Sequence, residues 1–336
     1  MNSKAFKSEI WARVDDRIMN ALADANREEI TGCVGGDIHS KRVQEILQKY
    51  FKDKIYTTFA INGTGANMLA LKSMLDRYSS VICAPDTHIN TNEAGATEFT
   101  LGNKIFTCGN ADGKLDCESI EKTLVKVRRF KYLPRVVVLT QPTELGVLYT
   151  LDEIRDICTL AHREGMYVYL DGARLGNALT ALSCTLTEMI ESTDVDAFSV
   201  GGTKAGAMFG EVVVFRREEF SRHLDYLQKQ SFQHFDKSTY LAVQLECLLE
   251  NGIWLENARR NNALAKVFEH KLYDKGIKPY FPVDTNAVFL QLDEETLDRL
   301  STEFDLHYWD NELKLVRFVV YQDTSEEDID RVVSFI

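Results

Sequence analysis

Two residues stand out by type and place. Asp171 follows the apolar run MYVYL, and Lys204 sits in the turn Gly-Gly-Thr-Lys-Ala-Gly that closes a second apolar run about thirty residues later. A lysine walled by glycines beside a buried strand suits an amine that forms a Schiff base with a carbonyl. Desolvation and neighbouring cations favour its neutral, nucleophilic form. An aspartate at a neighbouring strand end suits the partner of a protonated ring nitrogen, because an ionised carboxylate keeps that proton in place and makes the ring an electron sink. The plainer alternatives are a surface lysine and a helix cap at Asp171. The glycines around Lys204 and the apolar strand before it argue against the first.

A third stretch adds an anion site. IYTTFAI at 55–61 reads as a strand, Asn62-Gly63-Thr64-Gly65-Ala66-Asn67 as a turn, and MLALKSMLDRY as a helix. Backbone N–H groups at such a helix start point outward with partial positive charge. The spacing is neither GxGxxG nor a Walker loop, which weakens a dinucleotide reading. By itself the stretch is a tight turn. Joined to an amine and a carboxylate further on, it reads as a phosphate holder, and the three together as a pyridoxal phosphate site.

More polar residues fall at strand ends. SSVICAP at 79–85 leads into Asp86-Thr87-His88-Ile89-Asn90, with Glu93 on the next turn, and RVVVLT at 135–140 leads into Gln141-Pro142-Thr143-Glu144-Leu145-Gly146. His88 can stack on a ring or act as a base. Whether His88, Glu93 or a water takes a substrate proton stays open. Arg174 lies one turn after Asp171, and Arg317 lies inside the apolar strand LKLVRFVV, where an unpaired charge is expensive. A bidentate carboxylate partner explains both arginines. The other six histidines show no ligand spacing, so no metal is expected.

These residues need a frame. Strands alternating with helices up to about residue 215 predict a mainly parallel, covered sheet whose ligands sit beyond the carboxyl ends of the strands. His88, Gln141, Asp171 and Gly201–Lys204 would then share one edge. EVVVF at 211–215 follows too short a turn to be parallel. Helices are expected over 9–25, over 40–51 with Ser40 as cap, over 117–130 and over 151–164. From about residue 250 the pattern becomes a long helix, then IKPYF, AVFLQL, FDLHYW and LKLVRFVV as mostly antiparallel strands, and a helix from Ser325. This divides the chain into an N-terminal segment, 1–30, a large domain, 31–248, and a small α/β domain, 249–336.

Bulk properties exclude several classes. The 336 residues are 45% apolar and carry a formal charge of −12, which argues against a nucleic-acid surface or a membrane-surface helix. Seven cysteines, an odd count with no CxxC pair, argue against a disulfide framework or zinc knuckle and for a reducing compartment. The N-terminus lacks a signal-peptide core, and no apolar run reaches the roughly 20 residues of a membrane span. A soluble cytoplasmic protein is expected.

The segments NGTGAN, THINTNEAGATE, QPTELGVLYTLDEI, LDGARLGNAL, GGTKAGAMFGE and WLENARRNNALA, in this order, resemble the L-threonine aldolases of bacterial and protist type. These belong to the β-eliminating-lyase branch of fold-type-I pyridoxal phosphate enzymes. The resemblance covers nearly the whole chain. It implies a seven-stranded, mainly parallel large-domain sheet, a smaller C-terminal α/β domain, and cleavage of a β-hydroxy-α-amino acid such as L-threonine or L-allo-threonine to glycine and an aldehyde. It implies that Lys204 holds the cofactor covalently, Asp171 bonds the ring nitrogen and His88 stacks on the ring. Gly63, Thr64, Gly65 and Thr203 would hold the phosphate. Lys229 would reach a neighbouring subunit's phosphate, making a dimer the active unit, with dimers pairing into tetramers. Ser8, Arg174 and Arg317 would bind the substrate carboxylate. Departures are Glu9-Ile10 for Asp-Asn after Ser8, Cys33-Val34 where a tyrosine precedes the turn, and Phe232 for a glycine after Lys-Gln-Ser. Sequence also changes around Arg317. They surround the substrate more than the cofactor, which leaves room for β-elimination, for a bulkier substrate such as phenylserine, or for a cofactor-binding protein without turnover.

Overall fold

The computed structural model describes residues 4–29, 32 and 35–336; Cys33 and Val34 lie outside the described residues. Runs of β-branched, aromatic and other apolar residues form the strands β2 (Tyr56–Ala60), β3 (Ser79–Cys83), β4 (Lys104–Thr107), β5 (Leu133–Thr140), β6 (Tyr167–Asp171), β7 (Ala197–Gly201) and β8 (Glu211–Phe215); the two-residue β1 (Lys4–Ala5) precedes them. The seven make one sheet in the order β2-β8-β7-β6-β5-β3-β4. Pairs among β3 to β7 are parallel, while β8 is antiparallel to both β7 and β2. Every residue of β3, β7 and β8 is buried, as expected when helices cover both sheet faces. Each fully buried Val or Ile contributes roughly 1.5–3 kcal/mol.

The helices follow local caps. The helix Leu151–Arg163 carries a capping box between Thr150 and Glu153, and Cys117–Arg129 one between Asp116 and Ser119. Three helix starts differ from the sequence expectation. The helix read as MLALKSMLDRY begins five residues earlier, at Gly63, with Asn62 as its cap. The helix expected from Ser40 begins at Ile38, because Asp37 accepts from Ser40 N at 2.9 Å and is the cap. The helix expected over 9–25 is a 3-10 turn, Glu9–Trp11, an extended break and a helix, Asp16–Ala25. Asp15 accepts from Arg17 N at 2.9 Å and so starts the helix late.

The C-terminal part has its own apolar cluster, which includes Phe6, Phe268, Phe304 and Phe318. Strands β9 (Ala287–Gln291), β11 (His307–Asp310) and β12 (Leu315–Val319) form an antiparallel sheet in the order β11-β12-β9. FDLHYW splits, because β10 (Phe304–Asp305) pairs in parallel with β1 instead. IKPYF is not a strand. Pro279 and Pro282 supply no N–H, and Tyr280 N alone donates across, to Phe289 O at 2.8 Å. Among the connections that tie this part to the large sheet's edge are a helix and the N-terminal chain. The helix Ile253–Asp274 packs on Leu175–Leu182, with Asn262 and Asn177 exchanging hydrogen bonds. The N-terminal chain leaves the small cluster at Phe6, whose carbonyl accepts from Val319 N at 2.7 Å, and reaches the sheet edge at Glu9.

Candidate active site

Strands β3, β5, β6 and β7 point their carboxyl ends the same way, and the antiparallel β8 begins at that edge. Glu211 lies opposite Gly201 on β7 and Ala60 on β2. The segments after Ala60, Cys83, Thr140, Asp171 and Gly201 therefore converge.

Lys204 occupies the 3-10 turn Thr203–Ala205 directly after β7. Close backbone packing fixes this turn. A Cβ on Gly172 would stand 2.0 Å from Ser199 O, and one on Gly201 would stand 2.4 Å from Ala173 O. Only glycines let the ends of β6 and β7 approach so closely. Lys204 lies deep in the protein yet stays partly exposed, as a residue lining a cleft does. Burial, and secondly the Arg174 charge, lower its pKa against the opposing pull of Glu144, Glu9 and Asp171. The environment thus shifts the amine towards its neutral form.

Asp171 is buried and held at both oxygens. Oδ1 accepts from Ala173 N and Oδ2 from Asn67 Nδ2, each at 3.0 Å. The first bond is a local turn rather than a helix cap, because the following helix begins at Leu175. The Asn67 amide also donates to Glu93 Oε1 at 2.8 Å and accepts from Tyr169 Oη at 2.8 Å. Glu93 in turn holds His88 Nδ1 at 2.8 Å. Burial alone would lower the His88 pKa; the Glu93 hydrogen bond and the Glu144 and Asp171 charges outweigh it and raise it. Asp171 and His88 are thus oriented by one residue, Asn67, of the glycine-turn helix.

Gly63, Thr64 and Gly65 open the helix Gly63–Met74, and Asn62 accepts from Gly65 N at 2.8 Å. The Gln233 amide rests on Gly65. A Cβ there would lie 2.1 Å from Gln233 Oε1, which accepts from Ile61 N. Thr203 Oγ1 is buried and without a hydrogen-bond partner. It lies near enough to Glu211 to lower that carboxyl's pKa, but its geometry falls short of a bond. Lys229 is exposed, on the helix Leu224–Gln230.

The arginines differ in freedom. Arg174 Nε and Nη2 donate to the two oxygens of Glu9 at 2.6 and 2.8 Å, and Asn286 Nδ2 donates to the same carboxylate at 2.7 Å. Burial would raise the Glu9 pKa; the charge and hydrogen bonds of Arg174 outweigh it and hold it at about 2. Arg317 has weaker company. Its Nη2 donates to Lys7 O at 3.3 Å, its guanidinium carbon lies 5.1 Å from the centre of the Trp309 ring, its Nε is buried without a partner, and Glu144 stands 3.9 Å away. Burial first, then the Arg174 charge, lower its pKa to about 10. Such a guanidinium is prepared for an added anion. Ser8 Oγ donates to Glu9 Oε2 at 3.3 Å, the same carboxylate that Arg174 holds.

Glu9, Asn67, Asn286 and Glu211 escaped the sequence reading. Burial raises the Glu211 pKa to about 7, and its carboxylate accepts from Gly202 N at 3.0 Å behind the lysine turn. A polar residue opening an apolar strand was the available signal for Glu211. Glu9 and Asn67 stood in stretches already noted, after Ser8 and at the end of the glycine turn, but nothing local gave their roles or marked Asn286. Gln141 reaches the edge but is consumed there, bonding both N and O of Tyr149. A cavity of about 490 Å³ lies beside the site, between β2 and residues 221–228, and contains none of Lys204, Asp171 or the two arginines.

The residues present fit pyridoxal phosphate. An amine in an environment that shifts it towards its neutral form, a fixed carboxylate, a helix start with Gly65 at its mouth and the orphaned Thr203 hydroxyl answer to its aldehyde, ring nitrogen and phosphate.

Residues 7–295 match the family described as Beta-eliminating lyase. A low specificity L-threonine aldolase of Pseudomonas sp. (strain NCIMB 10558) is 35% identical over 301 residues, 89% of this chain and 87% of that protein. The solved structure of a threonine aldolase from Leishmania major superposes with a TM-score of 0.92 at 27% identity, covering 98% of both chains. An aspartate aminotransferase double mutant from Thermus thermophilus shares the fold, with a TM-score of 0.74 at 15% identity over 99% of this chain and 90% of that one.

Proposed function

The chain belongs to the beta-eliminating lyase family, and on that premise we propose that it cleaves the Cα–Cβ bond of L-threonine or L-allo-threonine to glycine and acetaldehyde. It has the fold-type-I architecture and is a pyridoxal phosphate-dependent carbon–carbon lyase. The observation that carries the finer reading is the placement of Lys204, in surroundings that shift its amine towards the neutral form, at the same edge as an Asp171 locked by Asn67 and Ala173.

Bound pyridoxal phosphate supplies an aldehyde that condenses with amines and a ring that accepts the electron pair released at Cα. In our reading Lys204 would anchor the cofactor, Asp171 would keep the ring nitrogen protonated, and His88, oriented by Glu93, would stack on the ring. Gly63, Thr64, Gly65 and Thr203 take the phosphate. Arg317 takes the substrate carboxylate, with Ser8 and the remaining edge of Arg174 beside it. Holding that carboxylate would fix the orientation of the substrate's Cα substituents.

The active unit is a homodimer in this reading, with Lys229 reaching the partner's phosphate, and two dimers pair into a tetramer. Lys229's exposure supports this. The division into an N-terminal segment (1–30), a cofactor domain (31–248) and a small domain (249–336) draws support from the separate apolar cluster of the C-terminal strands and helices, which Phe6 joins, while Leu145 and Val147 pack on Ala287, Phe289 and Leu315 across the boundary. Among the described residues no helix is long and apolar enough to cross a membrane, and no group of three or more His, Cys, Asp or Glu is placed to hold a metal. The charge of −12 and the odd cysteine count support a cytoplasmic protein that takes small amino acids, not nucleic acid.

The purified protein should be yellow, and borohydride should fix the cofactor to Lys204; Lys204→Ala should lose both properties. Glycine release from L-threonine, L-allo-threonine and phenylserine is then compared with pyruvate release from serine. Pyruvate alone would replace aldol cleavage with β-elimination. No product from any of them would leave a cofactor-binding protein without turnover.

A further inference from the structure

Glu144 is a buried carboxylate with no role in that scheme. It follows β5 at the catalytic edge and is 8% exposed. Its ion pair with Arg317 is 3.9 Å long, too long for a hydrogen bond. The groups facing it come from every neighbouring segment: His88 and Asp86 after β3, Arg174 after β6, Lys204 after β7, and Arg317 on β12. Burial would raise its pKa, but the charges of Lys204, Arg174, His88 and Arg317 outweigh burial and lower it; the two arginines and His88 remain once Lys204 holds the cofactor. Of the other bases at this edge, Glu93 has a fully covered side chain and spends Oε1 on Asn67 and His88. His88 has Nδ1 committed to Glu93.

We propose that Glu144 takes the proton of the substrate's β-hydroxyl, and that the substrate's own carboxylate arms it by displacing it from Arg317. This rests on the aldolase reading. In a β-hydroxy-α-amino acid three bonds separate the carboxyl carbon from the hydroxyl oxygen. A carboxylate seated on Arg317 therefore sets the hydroxyl beside the group Arg317 faced before. The incoming anion also neutralises the cation nearest Glu144, so the Glu144 carboxylate becomes a stronger base only when substrate is present. The step balances. The O–H bond breaks and its proton passes to Glu144. The O–H electron pair becomes the second bond of the aldehyde carbonyl, the Cα–Cβ pair passes to the bound cofactor, and the proton on Glu144 returns to Cα to complete glycine.

The test uses Glu144→Gln holoenzyme, which keeps the shape and removes the base. Its kcat on L-threonine should fall by about 10²–10⁴. Glycine, which has the carboxylate but no hydroxyl, should bind by calorimetry at least as tightly as to wild type, because the internal competitor for Arg317 is gone. The cofactor absorbance should persist, and the acid limb of the wild-type kcat/KM profile should vanish. A kcat within roughly threefold of wild type would overturn the proposal. So would glycine binding that weakens in step with kcat, which would make Glu144 a support for Arg317. Recovery of part of kcat in Glu144→Asp would uphold it. Wild-type protein that releases no glycine from any β-hydroxy amino acid sinks the aldolase reading itself; an active wild type with an equally active Glu144→Gln sinks only this inference.

Discussion

The pair Glu9–Arg174 makes a sharp stability prediction. Glu9 is 2% exposed, and its carboxylate receives two hydrogen bonds from one guanidinium and a third from Asn286. Holding a glutamate at about 2 instead of its ordinary 4.5 corresponds to about 3 kcal/mol of folding free energy. That agrees with the roughly 3–5 kcal/mol lost when one partner of a buried pair is removed. Glu9→Gln keeps the shape and the oxygen acceptor but removes the charge, so it should destabilise the protein at neutral pH by about 3 kcal/mol. The sign follows from the lowered folded-state value. Glu9 contributes fully above about 4.5, and its contribution disappears as pH falls from there to about 2. Urea midpoints multiplied by slopes, followed by tryptophan fluorescence at a series of pH values, give the gap between wild type and variant. The reasoning fails if the gap at pH 7 is below about 1 kcal/mol, or if it does not shrink as pH falls through this window. Glu9→Asp, one methylene shorter, should lie between, because its carboxylate cannot reach both Arg174 nitrogens and Asn286 without moving backbone.

Two substitutions test the backbone at a crowded strand end and at an exposed left-handed residue. Gly172→Ala drives a methyl to 2.0 Å from Ser199 O, which is backbone and cannot swing aside. A loss of about 3 kcal/mol or more in a urea melt is expected, and a near-neutral result would mean that β6 and β7 separate easily there. Phe232 has a φ of +56° and is 88% exposed. Phe232→Gly relieves a left-handed penalty of about 1–2 kcal/mol at an entropic cost of about 0.5–1, so a net gain of roughly 0.5–1 kcal/mol is expected. A loss that grows with protein concentration would instead place the ring against a second copy of the chain.

The sequence by itself determined the sheet and which residues end its strands. Apolar runs such as VVVL and EVVVF can be buried only as covered strands, and the glycines after Asp171 and Val200 mark where two strand ends must nearly touch. Lys204, Asp171, His88 and the Gly63–Gly65 turn were therefore visible, because each is an exception set directly after such a run. Helix starts were less visible. Asp15 and Asp37 outcompete nearby candidates for backbone N–H groups, and several residues in either stretch could have done so. Only the tertiary structure decided how the charges are shared. Arg174 meets Glu9 across 165 residues of chain, and Asn286 meets it across 277. The sequence marked two arginines as carboxylate binders; folding commits two donors of Arg174 to an internal carboxylate and leaves Arg317 short of partners. The reason is physical. A strand's burial is written in its own neighbours, but a buried charge is settled by whichever distant group the closed chain places within about 3 Å of it.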